Sequence, residues 1–218
     1  ITTVAAQKVY GTVGRSKIHP KGVWAKQYCN FNLEEDGDLE WFPQELVMFE
    51  GALFEQAMSV KLKAGASFLS TEVVRLGRTA AGEKLGNGRW RSKVEISRIT
   101  SESSYWEFID QLELSGEALV SSHGLSNQPV FGSLIWIAPE TFPKKRFLNV
   151  IDICRSHKQD INGSMSCSRI RNGISARYLG DSTQDARCWF LRIWSEIRKI
   201  RDLGSPTNIR VWPLQEEI

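Results

Sequence analysis

The stretch of sequence that decides the fold is Arg89-Trp90-Arg91-Ser92-Lys93-Val94-Glu95-Ile96-Ser97-Arg98-Ile99. Its apolar residues Trp90, Val94 and Ile96 stand at even positions, and charged residues fill most of the odd positions between them. Because successive side chains of a strand point to opposite faces, this period of two is typical of a strand with one buried face. The stretch predicts a strand within a strand-rich body.

Segments on both sides of this stretch also have the pattern of strands. The alternating or short apolar segments are 31–33, 39–41, 60–63, 68–76 and 130–137. Since Gly tolerates positive φ, Asp36-Gly37 predicts a tight hairpin between the first two of them, and Asn172-Gly173 predicts the turn of a second hairpin over 166–179. Residues 1–137 show no regular alternation of strands and helices, which argues against a doubly wound nucleotide-binding fold.

Two α-helices are predicted in the C-terminal third of the chain. The first covers residues 144–158, where apolar side chains fall on one side of the helix. The second begins at Ser182, which has the spacing of a capping box with Asp185, and stops near Gly204. Its apolar stripe consists of Ala186, Trp189, Phe190, Ile193, Ile197 and Ile200.

The composition excludes several classes of protein. A formal net charge of +3 is too small to indicate a nucleic-acid-binding protein. No apolar run approaches the ~20 residues that span a bilayer, so we expect no membrane segment. The four cysteines show no paired spacing, which favours a reduced, cytoplasmic setting.

Charge is unevenly distributed along the chain. Residues 1–143 have a net charge of −3, whereas residues 144–218 have a net charge of +6. This asymmetry predicts a basic C-terminal face that could meet an acidic partner, and a solvated helical surface would explain the same charges.

Enzyme motifs are not found in the sequence. The chain contains no phosphate-binding Gly-x4-Gly-Lys-Ser/Thr loop, no Gly-x-Ser-x-Gly elbow and no His-Glu-x-x-His helix. Its three histidines leave few candidates for acid–base catalysis. We therefore expect a protein that is not an enzyme.

Four other groups of residues could carry chemistry. Cys154 and His157, three apart on a predicted helix, could face one metal ion, or they could be a packed cysteine beside a surface histidine. An acidic cluster could bind a hard cation or be a solvated tip, and it consists of Glu34, Glu35, Asp36, Asp38 and Glu40. Tryptophans in strand-like segments could stack on a glycan or other ligand, or fill the core, and they are Trp24, Trp41, Trp90, Trp106 and Trp136. A hydrolase could pair Glu83 with Glu45 or Glu95.

Two compact segments have no standard catalytic meaning. The first is Leu39-Glu40-Trp41-Phe42-Pro43-Gln44-Glu45, and the second runs from Leu76 to Trp90. The glycines of the second segment are Gly77, Gly82, Gly86 and Gly88. They bracket Arg78 and Glu83, so the backbone must turn sharply while it holds opposite charges close together. The simplest interpretation is that Arg78 and Glu83 pair to pin a turn.

These segments closely resemble the family of urease accessory protein D, called UreD or UreH. That family carries a Leu-Glu-Trp-x-Pro-Gln-Glu segment, which residues 39–45 match. It also carries Gly-Arg-x-Ala-x-Gly-Glu followed by a Gly-containing turn, and the matching residues are Gly77, Arg78, Ala80, Gly82, Glu83 and Gly88. Further similar segments, in the family's order, are Thr2-Thr3 through Tyr10, Ala176-Arg177-Tyr178-Leu179-Gly180 and Arg210-Val211-Trp212.

The resemblance implies a fold. Family members are mainly β, with an irregular, helically wound stack of strands and two α-helices. The expected organisation is a single domain over residues 1–218. Members of the family normally begin upstream with a Gly-Gly…Gly-Asp segment that this sequence lacks, so we expect the domain to be N-terminally incomplete.

The resemblance also implies a function. It is that of a cytoplasmic scaffold that binds urease apoprotein, recruits UreF and the GTPase UreG, and helps to place nickel in the urease site. Nickel would cross an internal polar tunnel transiently, with no tightly bound metal and no cofactor of the protein's own. The expected path residues are the polar members of the two family segments, Glu40, Gln44, Glu45, Arg78 and Glu83.

One edge of the second predicted helix is a candidate partner site. Trp194 lies off the centre of the apolar stripe, beside Arg198 and Arg201. This position predicts a partly exposed edge that could bind UreF, and packing of the same residues into the core is the alternative.

Overall fold

The computed structural model describes residues 1–101 and 103–206 of the chain. Within these ranges the strands are β1 (Gln7–Val9), β2 (Ala25–Leu33), β3 (Asp38–Trp41), β4 (Leu46–Met48), β5 (Leu53–Leu62), β6 (Ser67–Leu76), β7 (Arg89–Ile99), β8 (Ser104–Ser115), β9 (Val130–Ile137), β10 (Ser164–Ile170) and β11 (Gly173–Gly180). The α-helices are α1 (Gly116–Val120), α2 (Arg146–Ser156) and α3 (Thr183–Ile200). The family-like segment Arg210-Val211-Trp212 lies outside the described residues.

The strands form two sheets. The larger sheet has the order β1-β4-β6-β9-β11-β10, with β3 also paired to β6, and the smaller has the order β2-β5-β7-β8. In the smaller sheet β2, β5 and β7 are parallel, and in the larger sheet β3 and β4 are parallel to β6. From β1 to β7 the chain passes back and forth between the sheets, and its successive strands pair in parallel in each sheet. Strands β8 and β9 then add to the two sheets in antiparallel pairing. This confirms the predicted helically wound β-stack.

The hairpin predicted at Asp36-Gly37 is wrong. A tight turn does form, because Asp36 has a positive φ of 56° and the Gly37 N–H donates to the Glu34 carbonyl at 3.0 Å. However, β2 pairs with β5 in one sheet while β3 pairs with β6 in the other. The turn therefore carries the chain from sheet to sheet, because turn residues fix a reversal of direction and not the strand that is paired next.

Other predicted strands agree with the structure. β7 and β9 coincide with the segments 89–99 and 130–137. The C-terminal hairpin is also confirmed as β10 and β11, in which Ile170 lies opposite Gly173. Its turn is therefore Arg171-Asn172, one residue earlier than predicted.

The helices differ from the prediction in number and in one cap. Short α1 was not predicted, and Ser115 caps it by accepting a hydrogen bond from the Ala118 N–H at 3.3 Å. At the start of α3, Ser182 Oγ accepts from the Asp185 N–H at 3.1 Å. The Asp185 carboxylate accepts from the Asn162 N–H at 3.2 Å, so it ties the loop before β10 to α3 and only half of the capping box forms.

The apolar core has two layers, one of which is continuous and one of which is divided. Helices α2 and α3 pack on one face of the larger sheet and form one apolar cluster with residues such as Leu69 and Val73 of β6. The other face of that sheet packs on the smaller sheet, and there the buried apolar residues form two separate clusters. None of the helices in the described ranges is long and apolar enough to cross a bilayer.

Candidate functional site

The space between the sheets is interrupted by polar residues at its centre. Along the inward face of β6 the side chains run Phe68, Ser70, Glu72, Val74 and Leu76. Phe68 belongs to one apolar cluster, whereas Val74 and Leu76 belong to the other. The carboxylate of Glu72 therefore lies between two apolar clusters, where an unpartnered charge would be costly.

The strand register extends this polar position into rows that cross both sheets. In the larger sheet Glu72 is opposite Ser133 of β9, which is opposite Arg177 of β11. In the smaller sheet Gln27 of β2 is opposite Gln56 of β5, which is opposite Ser92 of β7. We call these six residues the polar belt: Gln27, Gln56, Glu72, Ser92, Ser133 and Arg177.

Hydrogen bonds join the two rows of the polar belt. Gln56 Nε2 donates to Glu72 Oε1 across the gap and lies 3.3 Å from Ser92 Oγ. At one end of the belt, Arg177 Nη2 donates to Asp110 Oδ2 of β8 at 2.6 Å. The sheets are thus joined at their centre by polar contacts instead of apolar packing.

A cavity of about 90 Å³ lies against the belt. Such a volume has room for several water molecules. Its lining includes most of the belt together with Cys29, Trp41, Gln44 and Thr71. Gln27 Nε2 is 3.8 Å from Cys29 Sγ, so the thiol also faces polar groups. The arrangement is a small polar chamber between apolar walls.

Burial sets the protonation of the groups in this chamber. Desolvation raises the pKa of the Glu72 carboxyl to about 7, with the charge of Arg177 opposing and that of Asp110 adding to the shift. Desolvation also raises the pKa of the Cys29 thiol. Near neutral pH, Glu72 can therefore gain or lose a proton easily, which most carboxylates cannot.

Only one of the residues predicted for a nickel path reaches this chamber. Gln44 is buried and lines the cavity, while its backbone N–H donates to Thr3 Oγ1 at 2.8 Å. Glu45 forms an ion pair with Arg187 of α3. Glu40 accepts hydrogen bonds from Arg198 Nη1 at 2.8 and 3.0 Å. Glu40 and Glu45 therefore tie the strand-rich body to α3.

Arg78 and Glu83 lie together on the outside of the molecule. Arg78 Nε donates to Glu83 Oε2 at 2.7 Å, and Glu83 Oε1 accepts from the Glu50 N–H at 2.7 Å. These donors lower the pKa of Glu83, the Arg78 hydrogen bond most. The pair therefore pins the turn after β6 to the loop before β5, as the simplest interpretation of the motif predicted.

The motif glycines serve the same turn. Gly77 and Gly82 have positive φ values of 92° and 70°. The turn between them contains a short 3-10 helix, Thr79–Ala81. A Cβ atom at Gly88 would approach the Ala52 carbonyl oxygen to 2.8 Å, so close backbone approach requires glycine there.

The exposed edge predicted on α3 is wrong. Trp194 is only 5% exposed, and its ring lies 4.6 Å from that of Phe42. Its Nε1–H donates to Glu40 Oε1 at 2.8 Å. Arg198 pairs with Glu40, and Arg201 pairs with Asp38 at 3.1 Å. Strand β3 and Phe42 after it cover this face of α3. These residues therefore pack within the chain, and their proposed role in UreF binding loses its basis in exposure.

The other candidate groups are not gathered into sites. Cys154 is buried against Cys167, and the two thiols form a hydrogen bond. This hydrogen bond is the largest cause of the raised pKa of Cys154. In the described ranges no three His, Cys, Asp or Glu side chains are grouped to hold a metal ion. The acidic cluster is divided among ion pairs with Lys63, Arg198 and Arg201.

The tryptophans and the paired carboxylates are also separated. Trp90 and Trp136 are fully buried in different apolar clusters, whereas Trp106 is 54% exposed. The carboxylates of the proposed hydrolase lie in three separate ion pairs, with Glu95 bound to Lys93. Neither a stacking platform nor a two-carboxylate cleft is assembled from these residues.

The sequence does not single out the polar belt as a functional site. A useful indication was present, since Glu72 stands at an inward position of a strand whose other inward residues are apolar or small. Its partners come from five other strands that are distant in sequence, so their convergence depends on the sheet register.

The winding of the chain and the polar chamber define a class of protein, a strand-wound β-protein with a polar interior between its sheets. A family model described as UreD urease accessory protein matches residues 1–213. The chain belongs to this family, as the motif resemblance predicted.

Individual relatives agree with the family match. A protein from Prochlorococcus marinus strain MIT 9303 is 54% identical over 217 residues, covering 100% of this chain and 73% of the relative. One from P. marinus strain NATL1A is 54% identical over 215 residues, covering 99% and 70%. One from Synechococcus sp. strain CC9311 is 53% identical over 216 residues, covering 99% and 73%. All three are named urease accessory protein UreD.

Proposed function

We propose that this urease accessory protein helps to place nickel in urease apoprotein, and that the polar belt is the path along which Ni²⁺ passes. The observation that carries the proposal is a buried carboxyl surrounded by amides and hydroxyls, in a chamber that divides the apolar core between the sheets. In this proposal the protein acts in the cytoplasm with UreF and the GTPase UreG, and holds nickel only transiently.

The chemistry of the belt suits a cation in transit. Carboxylate and amide oxygens can replace part of the water around a divalent ion. A conduit must also release its cargo, which favours few ligands over a complete coordination shell. Glu72 is the one carboxylate among the six belt residues, and Gln27, Gln56, Ser92 and Ser133 are neutral. A Ni²⁺ ion entering the chamber would displace the proton of Glu72, because opposite charge favours the ionised carboxyl.

We propose two ends for such a path. The belt begins between β2 and β4, where Gln27 and Gln44 line the cavity. It ends at Arg177 and Asp110, whose side chains are 30% and 31% exposed. The proposed path thus runs across the strands from one side of the sheets toward the other.

A conduit needs no catalytic chemistry of its own. We expect the purified chain to hydrolyse neither GTP nor urea, since nucleotide hydrolysis would be the work of UreG. Turnover of either substrate in the absence of partner proteins would contradict a purely assisting role.

The proposal is tested by the nickel content of urease matured with Glu72→Gln. This variant keeps the shape of the side chain but removes the anionic oxygen. We expect about a tenfold loss of nickel in the matured urease, which corresponds to roughly 1.4 kcal/mol in the free energy of nickel transfer. The matched control is Glu55→Gln on the outer face of β5, where the carboxylate pairs with Lys26.

Each variant should be compared with the wild type for melting temperature and for binding of UreF. Normal nickel loading by Glu72→Gln would remove the belt from the metal route. The same assay tests Glu45 and Glu83, which the family segments predicted for the nickel path. We expect Glu45→Gln and Glu83→Gln to change nickel loading only as far as they change stability.

A further inference from the structure

The cations of the chain are not neutralised evenly. In the C-terminal part, Arg187, Arg198 and Arg201 each pair with an acidic residue of segment 38–45. These three ion pairs neutralise one part of the basic face predicted there. Residues 1–33, by contrast, contain five cations and no acidic residue: Lys8, Arg15, Lys17, Lys21 and Lys26. Among the described residues, Lys26 alone of these five is in an ion pair, with Glu55 at 3.6 Å.

Three of these cations project from an ordered loop over residues 11–24. Thr12 Oγ1 donates to the Val23 carbonyl at 3.0 Å and accepts from the Val23 N–H at 3.1 Å, so the loop is closed at its base. Two further bonds brace it, because the N–H groups of Thr12 and Gly14 donate to Gly51 and Pro20. Arg15, Lys17 and Lys21 are all exposed on this loop. A preformed loop loses little conformational freedom when it binds a partner.

A groove of about 390 Å³ lies between this loop and the Arg78–Glu83 turn. The rings of Tyr10 and Phe49 lie 4.6 Å apart in it, and the Arg78 guanidinium lies 4.7 Å over Phe49. Arg15 lines the same groove. Arg78 uses Nε and Nη2 to bind Glu83, which leaves Nη1 without a protein acceptor in the described part of the chain.

Exposed apolar side chains accompany these cations. Tyr10 is 64% exposed and Ile18, at the tip of the loop, is 84% exposed. Exposed side chains of this size can add apolar contact area to a binding surface. The surface therefore combines positive charge with apolar contact area.

We propose that the groove between the 11–24 loop and the Arg78–Glu83 turn is a docking surface for an acidic segment of a partner protein. Carboxylates of that segment would bind the loop cations Arg15, Lys17 and Lys21, which are exposed and have no ion pair in the described part of the chain. Apolar side chains of the segment would contact Tyr10 and Ile18. A densely charged polyanion fits less well, because Glu50 and Glu83 also line the groove and would repel closely spaced phosphates. The inference is independent of the nickel path, since the groove lies outside the polar belt.

The test is fluorescence anisotropy of the full chain with a short labelled peptide in which glutamate alternates with leucine. We expect this peptide to bind, with an affinity that falls as salt is added. The double variant Arg15→Glu/Lys17→Glu should weaken binding by at least about tenfold. Lys61→Glu is the matched control, because Lys61 is exposed on the outer face of β5, and it should change the affinity by less than about twofold.

Competing probes decide between classes of partner. A glutamine–leucine peptide of the same length, single-stranded RNA and phosphatidylserine vesicles are measured with the same proteins. Tighter binding of RNA or vesicles than of the acidic peptide would overturn the proposal, as would equal binding of the glutamine–leucine peptide or an unchanged affinity of the double variant. Tyr10→Ser, which keeps every charge, should weaken the acidic peptide without changing the salt dependence of its binding.

Discussion

The two faces of β6 are buried against different neighbours and differ in the polarity of their packing. Toward α2 and α3, Leu69 and Val73 join one continuous apolar cluster. Toward the smaller sheet, the apolar packing is divided by Ser70 and Glu72. Apolar residues of the right volume could have filled that gap with a gain in stability. The polar side chains on this face give up that stability, and in the proposed function they line the path of the metal ion.

The largest expected effect lies on the apolar face. Phe147 of α2 is fully buried, with its ring 5.0 Å from Phe142 and 5.7 Å from Trp136. Phe147→Ala should lower the free energy of unfolding by roughly 3–5 kcal/mol, because the cavity it leaves cannot collapse fully. Urea denaturation measures the loss, with Tyr28→Ala on the exposed outer face of β2 as the control. A small effect of Phe147→Ala would mean that the helix layer is not the stable half of the molecule.

The next effect sharpens the contrast through pH. The Glu72 pKa is about 7 in the folded chain against an ordinary 4.5, so the folded state binds more protons between these values. Stability from this group is therefore full below the lower pKa and is lost as pH rises through the higher one. Glu72→Gln removes this dependence and should be more stable than the wild type above about pH 7, by up to about 3 kcal/mol.

Urea denaturation of both proteins between about pH 5 and about pH 9 gives the difference directly. Parallel pH profiles of the wild type and Glu72→Gln would show that Glu72 is ionised throughout, and that the chamber is wetter than its burial implies.

A smaller effect is expected where the two layers are tied together. Glu40 accepts from Arg198 and Trp194, and its side chain is 17% exposed. Glu40→Gln would leave the Arg198 guanidinium without its anion and should cost about 1–2 kcal/mol. Glu34→Gln, which weakens an exposed pair with Lys63, is the control and should change stability by less than about 0.5 kcal/mol. Equal losses of stability in the two variants would show that Glu40 does not hold α3 in place.

The smallest effect is expected at the outer turn. The Arg78–Glu83 pair is charge-assisted, but the Arg78 side chain is 51% exposed, so solvent screens it. Arg78→Ala should therefore lower the free energy of unfolding by less than about 1 kcal/mol. Thermal melting of Arg78→Ala beside Glu83→Ala checks this value. A loss like that of Phe147→Ala would place the turn within the folding core.

Sequence patterns predicted the regular parts of this molecule well. Strand β7 and the apolar stripe of α3 follow from periodicity, because each needs only its own residues. The turn at Asp36-Gly37 was recognised, but which strand pairs after it depends on β5 and β6, which come later in the chain. The exposure of Trp194 was mispredicted for a similar reason, since Phe42 and Glu40 cover it from a distance of about 150 residues in sequence.

The candidate site was harder to predict than the fold. Family segments pointed to Glu40, Glu45, Arg78 and Glu83, and the structure places all four in ion pairs outside the chamber. Glu72 has no unusual neighbour in sequence. Its importance follows from the packing of the two sheets, which brings Gln56 and Ser92 of the smaller sheet to face it across the gap.

The most direct test of the proposed nickel path is to fill the chamber without changing its charge. Ser92→Met directs a flexible apolar side chain into the cavity of about 90 Å³. Ser59→Met, on the outward face of β5, is the matched control. The measurement is the nickel content of urease matured with each variant, beside the variant's melting temperature and its binding of partner proteins. We expect that Ser92→Met folds and binds its partners but delivers little nickel, while Ser59→Met delivers it normally. Normal delivery by a folded Ser92→Met would contradict the claim that nickel passes through the polar belt.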